Sequence, residues 1–233
     1  MEPVAMHIAD GIINGPTATA CAVLAVALLG LCVVKARSDL DDRLVPMAGL
    51  TAAFIFAVQM LNFPVLLGVS GHLLGGALAA ALVGPWVGAL CVAIVLIVQS
   101  LLFADGGITA LGLNIVNMAL IGAFVTYGVL RLLLKALPRT ATGVSVAVFI
   151  TAVVSVAAGA SGFVVEYAIG GTTNMPLPTV TGTMLGLHLL IGLGEGLITA
   201  ATVATVAKTR PDLVYALKGR TPAPLAATVK GAA

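Results

Sequence analysis

Charge is what this sequence has least of. Asp, Glu, Lys and Arg make up 9% of its 233 residues, against 60% hydrophobic residues and a mean hydropathy of +1.16. A soluble domain carries about 25% charged residues, and so apolar a chain folded in water would lack the polar surface to cover itself. Aromatic residues are also few, at 5%. That excludes an outer-membrane barrel, whose short alternating strands are flanked by aromatic girdles. No basic stripe interleaved with aromatics exists, so nucleic acid is not a partner. The cysteines are three, Cys21, Cys32 and Cys91, each inside an apolar run. An odd, scattered set gives neither a disulfide framework nor a cysteine metal site. Residues 1–15 carry Glu2 and Asp10 and no positive region before the first apolar stretch, which is not the pattern of a signal peptide. No nucleophile–base pair or zinc-protease helix is present either, so the chain is not expected to be an enzyme.

What remains is rich in glycine (27 residues) and alanine, the composition of helices packed closely in a bilayer. Spanning helices need roughly 20 apolar residues. The pattern predicts an all-α integral membrane protein, a compact bundle of about seven transmembrane helices at 16–34, 45–61, 73–83, 86–103, 110–134, 144–169 and 184–206. The third is short and costly to expose to lipid, so it is expected inside the bundle or little tilted, and 62–72 reads as a polar–apolar re-entry. Residues 1–206 are expected to form one transmembrane domain, and 207–233 a cytosolic, flexible tail. Arg131, Lys135, Arg139, Lys208, Arg210, Lys218 and Arg220 fall on one side with the mixed 35–44 loop; the other side holds Glu2, Asp10, Asp105 and Glu166 without Lys or Arg. The positive-inside rule then places the N-terminus outside and the C-terminus in the cytosol. Glu166, near an outer helix end, is expected to be solvated or interfacial.

Three histidines exist, and this topology puts His7 and His72 on the outer side. Neutral imidazole is the commonest ligand of borderline metals, so the two can converge on one ion or do nothing together. His7 follows Met6, and a histidine second in a chain has special chemistry. The free amine, the deprotonated amide nitrogen and the imidazole chelate one ion in a plane, and another imidazole completes four nitrogens. Square-planar nitrogen ligation favours Ni(II) or Cu(II). It requires Met6 to be the first residue, and a working chain that starts at Met6 is the expectation.

Asp10, Gln59, Asn62, Ser70 and Asp105 lie toward the same face, either orienting an imidazole through its second nitrogen or acting as turn formers and caps. Glu195 stands in the last apolar run, seven residues after His188, on one helix face. The pair either forms a buried polar contact holding that helix or lies on a cation path. Small residues Ala18, Cys21, Ala22 and Ala25 allow a close helix approach, as a docking face for a partner subunit or as internal packing.

Several motifs occur together: Met6-His7-Ile8-Ala9-Asp10-Gly11, Gln59-Met60-Leu61-Asn62-Phe63-Pro64, Ser70-Gly71-His72-Leu73-Leu74-Gly75-Gly76 and Gly84-Pro85-Trp86. Gln99-Ser100-Leu101-Leu102-Phe103-Ala104-Asp105-Gly106-Gly107 and Leu111-Gly112-Leu113-Asn114 follow in order. Over most of residues 6–205 the chain resembles the nickel/cobalt substrate-binding membrane component of energy-coupling-factor transporters, the NikM/CbiM type. The resemblance implies a seven-helix bundle that binds a metal outside through Met6, His7 and His72. It also implies a transmembrane coupling subunit, ATP-binding subunits and a small accessory membrane subunit as partners, in a bacterial or archaeal cytoplasmic membrane. The Asn-Phe-Pro and Phe-Ala-Asp-Gly-Gly forms are similar to the nickel branch, so Ni²⁺, with Co²⁺ second, is the expected cargo. The alternative is a self-sufficient secondary metal-ion transporter with His188 and Glu195 on its pathway.

Overall fold

In the computed structural model, residues 7–60, 62–66, 69–138 and 140–218 are described, with side chains left aside over 62–66 and 69–70. Helix α1 (Gly15–Ala36) opens on Asn14, whose side chain accepts a hydrogen bond from the Thr17 N–H at 2.9 Å, with Pro16 in the first turn. Asp41 closes the next loop by accepting from the Leu44 N–H at 2.7 Å, at the start of α2 (Leu44–Gln59). There follow an antiparallel hairpin, β1 (Asn62–Leu66) and β2 (Val69–His72), and a short α3 (Gly76–Val83). Gly84, at φ +87°, makes the turn into α4 (Pro85–Leu102). A side chain there would run into the ring of Tyr215.

The next helix is compound. α5 (Leu111–Asn114) passes through a widened π-helical stretch, Ile115–Ile121, into α6 (Gly122–Ala136). Such a stretch frees carbonyls from the regular ladder and commonly marks a functional position. Here the carbonyl of Gly122 accepts from both Ser155 and Thr126 hydroxyls. α7 (Ala141–Gly170) is capped by Thr140, and α8 (Leu177–Thr209) packs along it.

Five of these helices are long and apolar enough to cross a bilayer: Gly15–Ala36, Pro85–Leu102, Leu111–Ala136, Ala141–Gly170 and Leu177–Thr209. α2, with 16 residues, is shorter, and α3 has eight, all buried. Val23, Val26, Val34, Leu102, Ile169 and Leu190 point outward from α1, α4, α7 and α8. An apolar surface of this breadth requires lipid rather than water.

The structure corrects two expectations. The fold is not purely helical: Asn62–Leu66 and Val69–His72 pair as a hairpin, because Pro64 and the β-branched Val65 and Val69 disfavour helix. The short helix expected over 73–83 is α3, enclosed by its neighbours as its length implied, since its Ala- and Gly-rich sequence lets α4 and α6 come close on both sides. The last helix begins at Leu177 rather than near 184, with Pro176 and Pro178 tolerated in its first turn.

The Ala18/Cys21/Ala22/Ala25 stripe turns inward. Ala18 and Ala25 are buried, and Gly112 of α5 sits directly on the backbone of Ala22. Ala18, Ala22 and Ala25 thus take part in internal packing, and the outward face of α1 carries Val23, Leu24 and Val26. At the far end, α8 runs through to Thr209, after which Val214 and Leu217 are buried in the main core. Arg43 meets Asp212 at 3.8 Å, bringing the α1–α2 loop to the end of α8.

Candidate metal centre

The N-terminal segment, the loop after α4 and the start of α5 come together at the end of the bundle opposite the Arg43–Asp212 contact. An isolated bridge pairs Ile13 with Gly171, and the Asn14 N–H donates to the Gly170 carbonyl at 2.7 Å. Asp10 accepts from the Thr109 N–H (2.8 Å) and hydroxyl (2.5 Å), and packs on Gly107. Asp10 thus clamps the loop after α4 to the N-terminal segment.

His7 is held on two sides. Its Nδ1 bonds the Asp105 carboxylate at 2.9 Å, with both side chains almost wholly buried. Asn114 then grips the next residue, accepting from the Ile8 N–H at 3.2 Å and donating to the Ile8 carbonyl at 3.4 Å. Gly106, at φ +88°, lets the loop pass against His7, where a side chain would strike the His7 Cβ. With Nδ1 engaged, Nε2 turns inward, buried and without a hydrogen-bond partner among the described residues.

His72 is held in the same way from the other side. Its Nδ1 lies 2.9 Å from the Leu73 carbonyl, which only accepts, so Nδ1 carries the proton and Nε2 keeps its lone pair. Two residues on, Leu74 is fixed by both its backbone groups. Gln59 donates to its carbonyl at 2.8 Å, and Glu195 accepts from its N–H at 2.6 Å and from the Gly75 N–H at 3.1 Å. Burial drives the His72 imidazole down to a pKa of about 3, the neighbouring His7 adding to the effect. His72 is therefore neutral at ordinary pH, the form that coordinates metals.

The two rings meet at a centroid separation of 4.5 Å, tilted by 55°. Two imidazoles bound at right angles to one ion, with nitrogens about 2 Å from it, would place their centroids about 4.5 Å apart. They line a cavity of about 50 Å³ with Asn114, Asn117, Met184 and His188. Organic ligands occupy pockets of about 300–1,000 Å³; this one is of a size for an ion.

Of the residues picked from sequence, His7, His72, Asp105 and Gln59 come together here, while Asp10 stands one loop away. Met6 and the side chains of Asn62 and Ser70 lie outside the described residues. Sequence reasoning gave no role to Asn114, although it stood in a quoted motif. It also missed Asn117 and the placement of His188 on the cavity wall. Glu166, expected to be solvated, is buried; it accepts from Asn117 Nδ2 at 2.7 Å and from the Cys21 thiol at 3.6 Å. Its place on the inward face of α7 takes it from solvent.

The fold and the imidazole-lined cavity fit a class, the multi-pass membrane proteins that handle transition-metal ions, and comparison with known proteins agrees. The family described as the cobalt uptake substrate-specific transmembrane region, CbiM, matches residues 7–213, and the chain belongs to that family. It is 41% identical over 209 residues to the "Putative fused nickel transport protein NikMN" of Archaeoglobus fulgidus, covering 90% of this chain and 68% of that protein. It is 31% identical to the cobalt transport protein CbiM of Sorangium cellulosum, covering 91% of this chain and 96% of that one. A crystal structure of a truncated transition metal transporter superposes with a TM-score of 0.77 at 29% identity, over 88% of this chain and 99% of that one. These relatives are transport proteins, not enzymes.

Proposed function

We propose that this chain captures Ni²⁺, with Co²⁺ as second choice, at the outer face of the membrane through Met6, His7 and His72. It delivers the ion as the substrate-specific subunit of an energy-coupling-factor ABC transporter. A transmembrane coupling subunit and ATP-binding subunits supply the energy, with a small accessory membrane subunit alongside. The observation that carries the reading is the pair of buried, Nδ1-anchored imidazoles 4.5 Å apart on an ion-sized cavity. The nickel preference draws on the 41% identity to a protein named for nickel transport. In this reading the chain makes seven passes, with residues 73–83 as the third.

The alternative, a self-sufficient secondary transporter, would need Glu195 free to exchange cations. Both its oxygens accept from the backbone of Leu74 and Gly75 instead, which supports an anchoring role.

Purified protein is expected to bind Ni²⁺ at one ion per chain and to lose binding on His7→Ala or His72→Ala, while cellular uptake needs the coupling and ATP-binding subunits. Nickel uptake that persisted in cells stripped of every such subunit would overturn the transporter assignment. N-terminal sequencing of the active form tests the Met6 ligand. The amine–amide–imidazole chelate closes only through Nδ1 of His7, the nitrogen that bonds Asp105 here, so adopting it requires that bond to open.

A further inference from the structure

The peptide group that joins Leu73 to Leu74 is held at both ends. Its carbonyl, on Leu73, takes the Nδ1–H of His72 at 2.9 Å, and its N–H, on Leu74, donates to Glu195 Oε2 at 2.6 Å. Glu195 comes from α8, 121 residues beyond Leu74, and is 2% exposed. Its other oxygen accepts from the Gly75 N–H at 3.1 Å, so the carboxylate spans two successive peptide groups. The second of these has the Leu74 carbonyl, which Gln59 Nε2 holds at 2.8 Å. Both N–H groups lead into α3, and a helix start favours negative charge.

A loop clamp alone needs no charge, and an ionisable group inside a bilayer is costly. What a carboxylate adds is polarisation. Glu195, the peptide group and the imidazole form one chain of hydrogen bonds, and the members of such a chain polarise one another in a low-dielectric interior. Negative charge at Glu195 draws on the Leu74 N–H, makes the Leu73 carbonyl a stronger acceptor and pulls the Nδ1 proton of His72 toward it. Nε2, at the other side of the ring, becomes the better electron-pair donor. Metal-ligating histidines lean on a carboxylate or a backbone carbonyl in this way. His72 has the carbonyl directly and the carboxylate one peptide group behind it. His7 differs, because the chelate through Met6 uses its Nδ1 and must release Asp105, whereas His72 keeps its support when it binds through Nε2.

We infer that Glu195 is a positioning residue for His72, acting through the Leu73–Leu74 peptide group to fix its tautomer and strengthen Nε2 as a metal donor. The inference rests on the capture reading above and names a residue that tunes it. Glu195 itself stays off the ion, with both oxygens on backbone N–H groups.

The test uses the full-length protein in detergent with ¹⁵N-labelled histidine, first metal-free and then with NiCl₂ alone. The His72 signals are assigned by their loss in His72→Gln. In the metal-free wild type Nδ1 of His72 is expected to carry the proton, and the opposite tautomer would overturn the inference whatever the variants do. Glu195→Gln, which keeps the size and removes the charge, should shift that proton upfield and reduce Ni²⁺ affinity roughly 10-fold or more. Glu195→Asp, which keeps the charge on a shorter arm, should lose less. Gln59→Leu frees the same loop without touching the Leu73–Leu74 group, so it should lower the melting temperature and leave the proton signal in place. A folded Glu195→Gln protein with the wild-type proton signal and affinity would overturn the role of Glu195. So would an equal shift in Gln59→Leu, because the position of the loop, not the charge, would then be the cause. Failure of the wild type to bind Ni²⁺ would instead overturn the capture reading and leave the proton measurement standing, so the two failures are distinct.

Discussion

His72 is buried in the folded protein and would be solvated in the unfolded chain, and that difference has a measurable sign. Its folded pKa, pushed down to about 3 from an ordinary value of 6.5, means that the unfolded chain takes up the proton first. Stability from this residue is complete above pH 6.5 and is lost as pH falls toward 3. Between pH 6.5 and 4.5 the loss is about 2–3 kcal/mol. Thermal unfolding in detergent over that range should therefore show a steeper decline for the wild type than for His72→Gln, whose side chain does not titrate. Parallel declines would mean that His72 is solvated in the folded protein. A second residue-scale expectation concerns Asp105. It holds Nδ1 of His7, the nitrogen that the chelate through Met6 must release, so Asp105→Asn, whose neutral amide holds that nitrogen less strongly, should bind nickel at least as tightly as the wild type, with little change in melting temperature. Binding weakened about 10-fold or more would show that His7 keeps this bond while it ligates and that the chelate does not form.

At the scale of elements, the long helices were legible because apolar runs of bilayer length have few other solutions. The 86–103 and 144–169 expectations fall within about three residues of Pro85–Leu102 and Ala141–Gly170. What did not show was whatever depends on which faces meet. The shortness of 73–83 pointed to a helix kept from lipid, but only the packing reveals which neighbours enclose α3. The site divides likewise. His7 and His72 were conspicuous as rare polar residues in glycine-rich motifs, but the grip of Asn114 on Ile8 joins residues 106 apart in the chain, and no periodicity announces that. His188 sits 116 residues after His72, and only the packing of α7 with α8 brings it to the cavity. The small-residue contacts that allow such packing are themselves testable. A methyl group on Gly112 would overlap the backbone of Ala22, which has no rotamer to yield. Gly112→Ala should therefore destabilise the protein by about 1–3 kcal/mol, seen as a lower melting temperature. Gly128→Ala, where the space is open, is the control expected to melt as the wild type does.

For the whole molecule, the polarity of the bundle links the site to its work. One end gathers His7, His72, Asp10 and Asp105; the other gathers Lys35, Arg37, Arg43, Lys208 and Arg210 at the adjoining termini of α1, α2 and α8. Cationic loops resist translocation, so the second end is expected in the cytosol and the imidazole end outside. Cysteine labelling checks this in intact cells, in a background with Cys21, Cys32 and Cys91 replaced by alanine. Asn174→Cys lies in the exposed turn between α7 and α8, at the histidine end, and should react with a membrane-impermeant maleimide added outside. Asp42→Cys lies in the exposed α1–α2 loop and should react only after the membrane is opened. The reverse pattern would place the imidazole cavity at the cytosolic face, where an importer has no use for a capture site, and the function would have to be redrawn as export or sensing. Labelling of both positions from outside would instead mean that the stretch between α1 and α7 crosses an uneven number of times. The enclosed α3 would then no longer count as a pass, and a bundle of six crossings would leave both chain ends on one side.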